Sequence, residues 1–144
     1  YKSENVATVL RAMVGVTQGG TSRAVFAGAP YLSGGKTGTA QAVTIGQNSR
    51  YNAARLSEYQ RDHSLYIAFA PADKPRIAVA AIVENAGFGA LAAAPIVRRV
   101  MDYWVAGVYP SEVDIAALQR GQAGAPIGTP RRVADVVGRS ALAP

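Results

Sequence analysis

The sequence predicts an α+β fold in which an antiparallel sheet is flanked by helices at both ends of the chain. Three observations carry that prediction. Val6, Val9, Leu10 and Met13 recur at helical spacing near the start. Two short strand-like runs, Ser64–Ala70 and Arg76–Glu84, are joined by Pro71-Ala72-Asp73-Lys74-Pro75, whose prolines and aspartate suit a turn. Ile96, Val97, Val100, Met101, Trp104 and Val105 then return to helical spacing.

The first helix is expected over Ser3–Val14, with Ser3 as its N-cap and Glu4 in the positively polarised first turn. Gln18-Gly19-Gly20-Thr21-Ser22 ends it as a loop, and Gly28-Ala29-Pro30 is a second break. Tyr31–Ile45 reads as the first strand. Gly34, Gly35 and Gly38 are poor helix formers there, and Thr37, Thr39, Val43, Thr44 and Ile45 are β-branched. The polar connection Gly46–Asp62 follows, with a short helical stretch expected at Asn52–Gln60; it reads equally as a gate over a cleft or as a mobile surface connection.

Ser64–Ala70 and Arg76–Glu84 should form an antiparallel hairpin, and the second run, apolar at nearly every position, should be buried on both faces. In the helix expected at Ala92–Val105, Pro95 fits only in the first turn. Arg98, Arg99 and Asp102 fall on its solvated face, and Trp104 falls on the core stripe. Beyond Pro110 the composition turns to Ala, Gly, Pro and Arg. Residues 1–110 are therefore expected to form the folded part and residues 111–144 a flexible extension, most clearly over Gly121–Pro144.

At 144 residues the chain is one domain or part of one. A hydrophobic content of 49% against 17% charged residues supports a packed core and excludes general disorder. The absence of cysteine excludes disulfide scaffolds, thiolate zinc sites and cysteine nucleophiles. A single histidine, His63, excludes a multi-histidine metal centre and reads as structural rather than as an acid/base or ligand, so no cofactor is implied. The longest apolar run, Ile77–Val83, is far short of the roughly 20 residues that span a bilayer. The chain opens at Tyr1-Lys2-Ser3 with no initiator methionine or signal-peptide pattern, which reads as a fragment whose targeting segment lies elsewhere. Lys and Arg outnumber Asp and Glu by 15 to 9, a net charge of +6, and this raises the question of nucleic acid. The arginines are scattered and no basic stripe is interleaved with aromatics, so a nucleic-acid partner is not expected.

One segment carries chemistry: Ser33-Gly34-Gly35-Lys36-Thr37-Gly38-Thr39-Ala40-Gln41. A phosphate loop would need glycine where Pro30 stands and a helix opening at Lys36-Thr37. A serine nucleophile in S-x-x-K form would need Ser33 and Lys36 on one helical face, but in a strand they point to opposite faces. Ser3-Glu4-Asn5 matches S-x-N by letters only, as a helix start explains it better. In a K-T-G-T strand, alternation sends Lys36 and Gly38 to one face and Thr37 and Thr39 to the other, with a local twist able to bring more of them into one cleft. Gly38 lets a ligand approach closely, Lys36 supplies positive charge, the threonine hydroxyls suit a carboxylate and the Thr39 N–H suits an oxyanion. The tetrapeptide alone leaves an ordinary Gly-rich edge strand equally open.

The surrounding residues add a resemblance. Ala12-Met13-Val14-Gly15-Val16, Gly20-Thr21, Gly35–Gln41, Phe69-Ala70-Pro71, Val83-Glu84-Asn85 and Ala94-Pro95-Ile96 together resemble the C-terminal part of the transpeptidase domain of class B penicillin-binding proteins, from Val6 to about Trp104. K-T-G-T also occurs across serine β-lactamases and D,D-carboxypeptidases. The insert with Tyr51-Asn52-Ala53 and Arg61-Asp62-His63 most resembles the elongation-specific members of the family from Gram-negative rods.

The resemblance implies the penicillin-recognising serine transpeptidase/β-lactamase-like fold. It implies that Lys36 helps hold the S-x-N serine and tunes proton transfer, that Thr37, Gly38 and Thr39 bind the terminal carboxylate of a D-Ala-D-Ala stem peptide or a β-lactam, and that the Thr39 N–H is an oxyanion donor. The implied partners are the peptidoglycan stem peptide, β-lactams, a membrane glycan polymerase and elongation-complex proteins. The implied location is the periplasmic face of the inner membrane, through an N-terminal anchor absent from this chain. The S-x-x-K and true S-x-N motifs are not among these residues, so the chain alone should be inactive and, without the nucleophile helix that covers the sheet, should show exposed apolar surface or an intermolecular substitute for it. A non-catalytic β-lactam sensor and a D,D-carboxypeptidase are the alternatives.

Overall fold

The computed structural model describes residues 1–42, 52, 54 and 56–137. Val43, Thr44 and Ile45, expected to end the first strand, lie outside the described residues, as do much of the expected connection and residues 138–144.

The first helix, α1, runs over Ser3–Gln18, longer than the expected Ser3–Val14. Lys2, not Ser3, is its N-cap, because the Lys2 carbonyl already accepts from the Asn5 and Val6 N–H groups at 3.1 and 3.2 Å. A four-residue helix that the sequence reading missed, α2 at Arg23–Phe26, turns the chain into β1 at Gly34–Ala40. β2, His63–Ala70, and β3, Ile77–Val83, form the expected hairpin. The sheet is antiparallel in the order β1-β2-β3, which leaves β1 at an edge.

Antiparallel pairing puts opposed residues on one face, and Thr37↔Tyr66↔Ala81 marks the face that holds the core. There α3, Ala93–Ala106, brings Val97 and Met101 onto Tyr66, Ala68 and Ala70, with Val25 and Phe26 of α2 closing the side. Tyr66 and Phe26 stack at 6.0 Å between ring centroids. On the opposite face α1 covers only β1: a β-carbon at Gly34 would meet the Phe69 ring and stand 3.3 Å from Met13 Cβ. Among the described residues, no other helix packs on that face. β3 is therefore half-buried on one face and exposed on the other, contrary to the reading of its apolar run, with Ala78 and Ala80 exposed and Ile82 68% exposed. Val9 on α1 and Ile67 on β2 are also exposed, which is the uncovered apolar surface expected of this chain.

The core face of α3 is rotated from the expected one: Val97 and Met101 are buried as expected, but polar residues share their face. Arg98 and Asp102, placed on the solvated face by spacing, are 5% and 6% exposed, whereas Trp104 is 56% exposed. The reason is a buried polar bracket. Arg98 Nε donates to Asp102 Oδ1 at 2.8 Å, its Nη1 donates to the Val25 and Ala27 carbonyls at the end of α2, and the Tyr31 hydroxyl donates to Asp102 Oδ1 at 2.7 Å. Each charge has several partners, so burial is tolerated.

Residues 111–137, expected as part of a flexible extension, carry regular structure. β4, Val108–Tyr109, pairs with β5, Arg131–Arg132, and the chain between them includes α4, Glu112–Gln119; α5, Val133–Val137, follows. Ser111 caps α4 by accepting from the Asp114 N–H at 3.0 Å. Arg99, also expected in solvent, pairs with the buried Asp114 at 2.5 Å and donates to the Ala123 and Gly124 carbonyls. The Arg99–Asp114 pair thus ties this segment to α3, and Arg131–Glu112 joins two parts of the segment itself, where composition suggested a tail. Among the described residues, no helix is long and apolar enough to cross a membrane.

Candidate active site

Small residues let β1 sit close to its neighbours. A β-carbon at Gly35 would collide with the Tyr66 hydroxyl, so only glycine fits between the strand and that ring. The Tyr66 hydroxyl is fully buried and shares a 2.7 Å hydrogen bond with Ser22 Oγ. Burial pushes its pKa up, with Ser22 pulling the other way, so the phenol stays neutral beneath the strand. At the start of β1, Thr17 Oγ1 donates to the Ser33 carbonyl at 2.6 Å. Strand and α1 are pinned together there.

Alternation then sorts the motif as the sequence predicts. Thr37 opposes Tyr66 and Thr39 opposes Ser64, while Lys36 opposes Ile67 and Gly38 opposes Leu65. Thr37 and Thr39 line a cleft of ≈ 320 Å³ together with Thr21, Phe88, Gly89, Ala90 and Leu91. The Thr21 and Thr37 hydroxyl oxygens stand 3.3 Å apart. Lys36 does not line this cleft; its Nζ donates to the Thr37 carbonyl at 2.5 Å, and its side chain is exposed. No twist brings it round to the threonines.

Ser33 is 1% exposed and lies in extended chain just ahead of β1, so its hydroxyl cannot share a helical face with the Lys36 amine. Lys2, Lys36 and Lys74 are the chain's lysines, and only Lys36 has a serine three residues ahead. The S-x-x-K reading therefore fails on geometry.

The cleft's other wall is Phe88–Leu91, the end of the segment that joins β3 to α3. Ser64 Oγ holds it at one end, donating to the Phe88 carbonyl at 3.1 Å and accepting from the Ala93 N–H at 3.1 Å. His63 holds the other, with Nδ1 accepting from the Asn85 N–H at 3.0 Å. That is the structural role expected of His63. Thr21 and this wall are the parts of the site that residue patterning missed. The Gly19-Gly20-Thr21 and Asn85-Ala86-Gly87-Phe88-Gly89 runs were the available signal, since glycine clusters mark close approach as well as turns.

Residues 1–102 match the model of the penicillin binding protein transpeptidase domain. The peptidoglycan D,D-transpeptidase MrdA of Acinetobacter baumannii is 51% identical over 94 residues, covering 65% of this chain and 14% of that protein. The MrdA of Haemophilus influenzae is 46% identical over 86 residues, covering 60% of this chain and 13% of that protein. The crystal structure of Pseudomonas aeruginosa PBP2 in complex with WCK 5153 superposes with a TM-score of 0.57 at 42% identity, over 72% of this chain and 20% of that one. Helicobacter pylori PBP2, in complex with MreC, superposes at 0.56 and 23% identity over 74% of this chain and 19% of that one, which shows the fold alone. The chain thus spans about 14% of the length of its curated relatives. With a match that runs through most of its length, the chain belongs to the penicillin-binding protein transpeptidase domain family.

Proposed function

We propose that this chain is the K-T-G-T wall of the active cleft of a peptidoglycan D,D-transpeptidase. The observation that carries the reading is that Thr37 and Thr39 of an edge strand line one cleft, within the stretch that matches the transpeptidase domain. Two hydroxyls on a common side suit the terminal carboxylate of a D-Ala-D-Ala stem peptide or the carboxylate of a β-lactam. Every second N–H of an edge strand lacks a ladder partner, and the Thr39 N–H serves as an oxyanion donor. Lys36 turns from its own strand carbonyl toward the upstream serine when that part of the domain is in place, and tunes proton transfer there.

The reaction begins when a serine outside these residues attacks the penultimate carbonyl of the donor stem. The D-Ala–D-Ala peptide bond breaks, D-Ala leaves with a proton, and an ester remains on the serine. An acceptor amine attacks that ester, forming the cross-link and returning the serine hydroxyl. The chain alone is inactive, because its one S-x-x-K is extended. Peptidoglycan lies beyond the inner membrane, so the site works on the periplasmic face, with a glycan polymerase and elongation-complex proteins as neighbours.

The test uses the full-length protein that carries this chain, with a D-Ala-D-Ala donor and an amine acceptor. Release of D-Ala together with cross-linked dimer is the expected result, and Lys36→Ala lowers the rate about a hundredfold. D-Ala release without dimer makes the protein a carboxypeptidase, and a penicillin adduct with no turnover makes it a sensor.

A further inference from the structure

The cleft does not end at Thr39. Its wall residues Phe88 and Leu91 are shared with a second open basin of ≈ 460 Å³ that Arg61, Asn85, Ala86 and Gly87 also line. Phe88 and Leu91 are 65% and 66% exposed, so two apolar side chains stand on the divide between the basins. Register gives the direction. β1 runs from Lys36 toward Ala40, Ala40 pairs with His63, and Arg61 lies just ahead of His63 in the chain. The second basin is anchored to that same stretch, through Asn85 N–H to His63 Nδ1 at 3.0 Å and Gly87 N–H to the Asp62 carbonyl at 2.8 Å. Arg61 is exposed, and among the described residues lining the two basins it is the charged one.

We infer, on the reading of the cleft given above, that Arg61 forms a second subsite for an anionic side chain carried two residues before the one that bears the ligand's terminal carboxylate. A strand advances about 3.4 Å per residue. A peptide anchored by its carboxylate at Thr37 and Thr39 and lying along β1 crosses Phe88 and Leu91 with its middle. The next side chain then reaches Arg61. A guanidinium offers a planar fork to a carboxylate and nothing comparable to an amide. The ligand class is a peptide ending in D-Ala-D-Ala with an acidic side chain just upstream, its aliphatic portion resting on Phe88 and Leu91.

The experiment uses the full-length protein carrying this chain and two synthetic peptides that end in D-Ala-D-Ala. They differ only in a carboxylate or its amide on the side chain before that pair. Each competes with a fluorescent penicillin for the cleft. The acid should compete more strongly than the amide by about fivefold at low salt, the scale of an exposed ion pair, and the preference should shrink as salt is raised. In Arg61→Ala and in Arg61→Gln the acid-to-amide ratio should fall to about one. Because the ratio is taken within each variant, a lowered yield of active protein does not distort it. Arg61→Gln, which keeps a polar side chain of similar reach, carries the test if Arg61→Ala does not fold. A wild-type ratio of one, a preference that persists in Arg61→Gln, or equal weakening of both peptides overturns the assignment. Failure of the wild-type protein to take the penicillin at all overturns the proposed function instead, so the two failures are distinct.

Discussion

Gly89 lies against Gly38: a β-carbon at Gly89 would stand 2.7 Å from the Gly38 carbonyl oxygen and would collide with that of Leu65. The wall of the cleft is therefore pressed onto the backbone of the strand that carries Thr37 and Thr39. Both contacted atoms are backbone, and neither can turn aside.

Gly89→Ala should then push the Phe88–Leu91 wall off β1. Overpacking of this kind costs about 1–3 kcal/mol. In the full-length protein this should lower the apparent melting temperature and slow acylation by penicillin together. Gly15, whose β-carbon would meet nothing within 4 Å, is the control, and Gly15→Ala should leave the melting temperature unchanged or raised.

Asp102→Ala strands the Arg98 guanidinium in a site where it is 5% exposed, and should cost about 3–5 kcal/mol. Tyr31→Phe removes one neutral donor to the same carboxylate and should cost about 1 kcal/mol. Denaturant unfolding of the two variants measures the difference. Equal costs would mean that the bracket between α2 and α3 does not depend on charge.

The two faces of α3 should respond oppositely to truncation. Met101→Ala opens a cavity against Tyr66 and should cost about 2–5 kcal/mol. Trp104→Gln, at a site 56% exposed, should change stability by about 0.5 kcal/mol or less. A large loss at Trp104 would restore the helix orientation that its spacing suggested.

Alkaline pH should destabilise the fold through Tyr31 and Tyr66. Burial raises the pKa of both hydroxyls, and the Asp102 carboxylate raises that of Tyr31 further. Because the folded values lie above the unfolded one near 10, the stabilising effect is fully present below about pH 10 and is lost as pH rises beyond it. Unfolding free energy should therefore fall above about pH 10, and Tyr31→Phe should flatten that fall.

Much of the fold was legible because its signals are local. β-branched residues and glycines marked β1, the prolines around Asp73 marked the hairpin, and helical spacing marked α1 and α3. The face of α3 was not legible. Val97, Met101 and Val105 form one apolar stripe and Ile96, Val100 and Trp104 a neighbouring one, and the choice between them is made by Arg98 reaching carbonyls on α2, distant in sequence. The same applies to residues 111–137. Their Ala, Gly and Pro content resembles a linker, while the Arg99–Asp114 pair that holds them crosses between elements. In the site, strand alternation gave the common face of Thr37 and Thr39 directly. Thr21 and the wall at Phe88–Leu91 come from loops that tertiary packing brings to β1, and no periodicity reports that.

The central claim is that Lys36, Thr37 and Thr39 serve a serine elsewhere in the full-length protein. It is tested most directly by treating that protein with a penicillin, measuring intact mass, and locating the adduct by peptide mapping in the wild type and in Lys36→Ala. The account predicts one adduct, on a serine outside Tyr1–Pro144, formed much more slowly in Lys36→Ala. An adduct on Ser33 or any other hydroxyl within these residues would contradict it, as would acylation indifferent to Lys36.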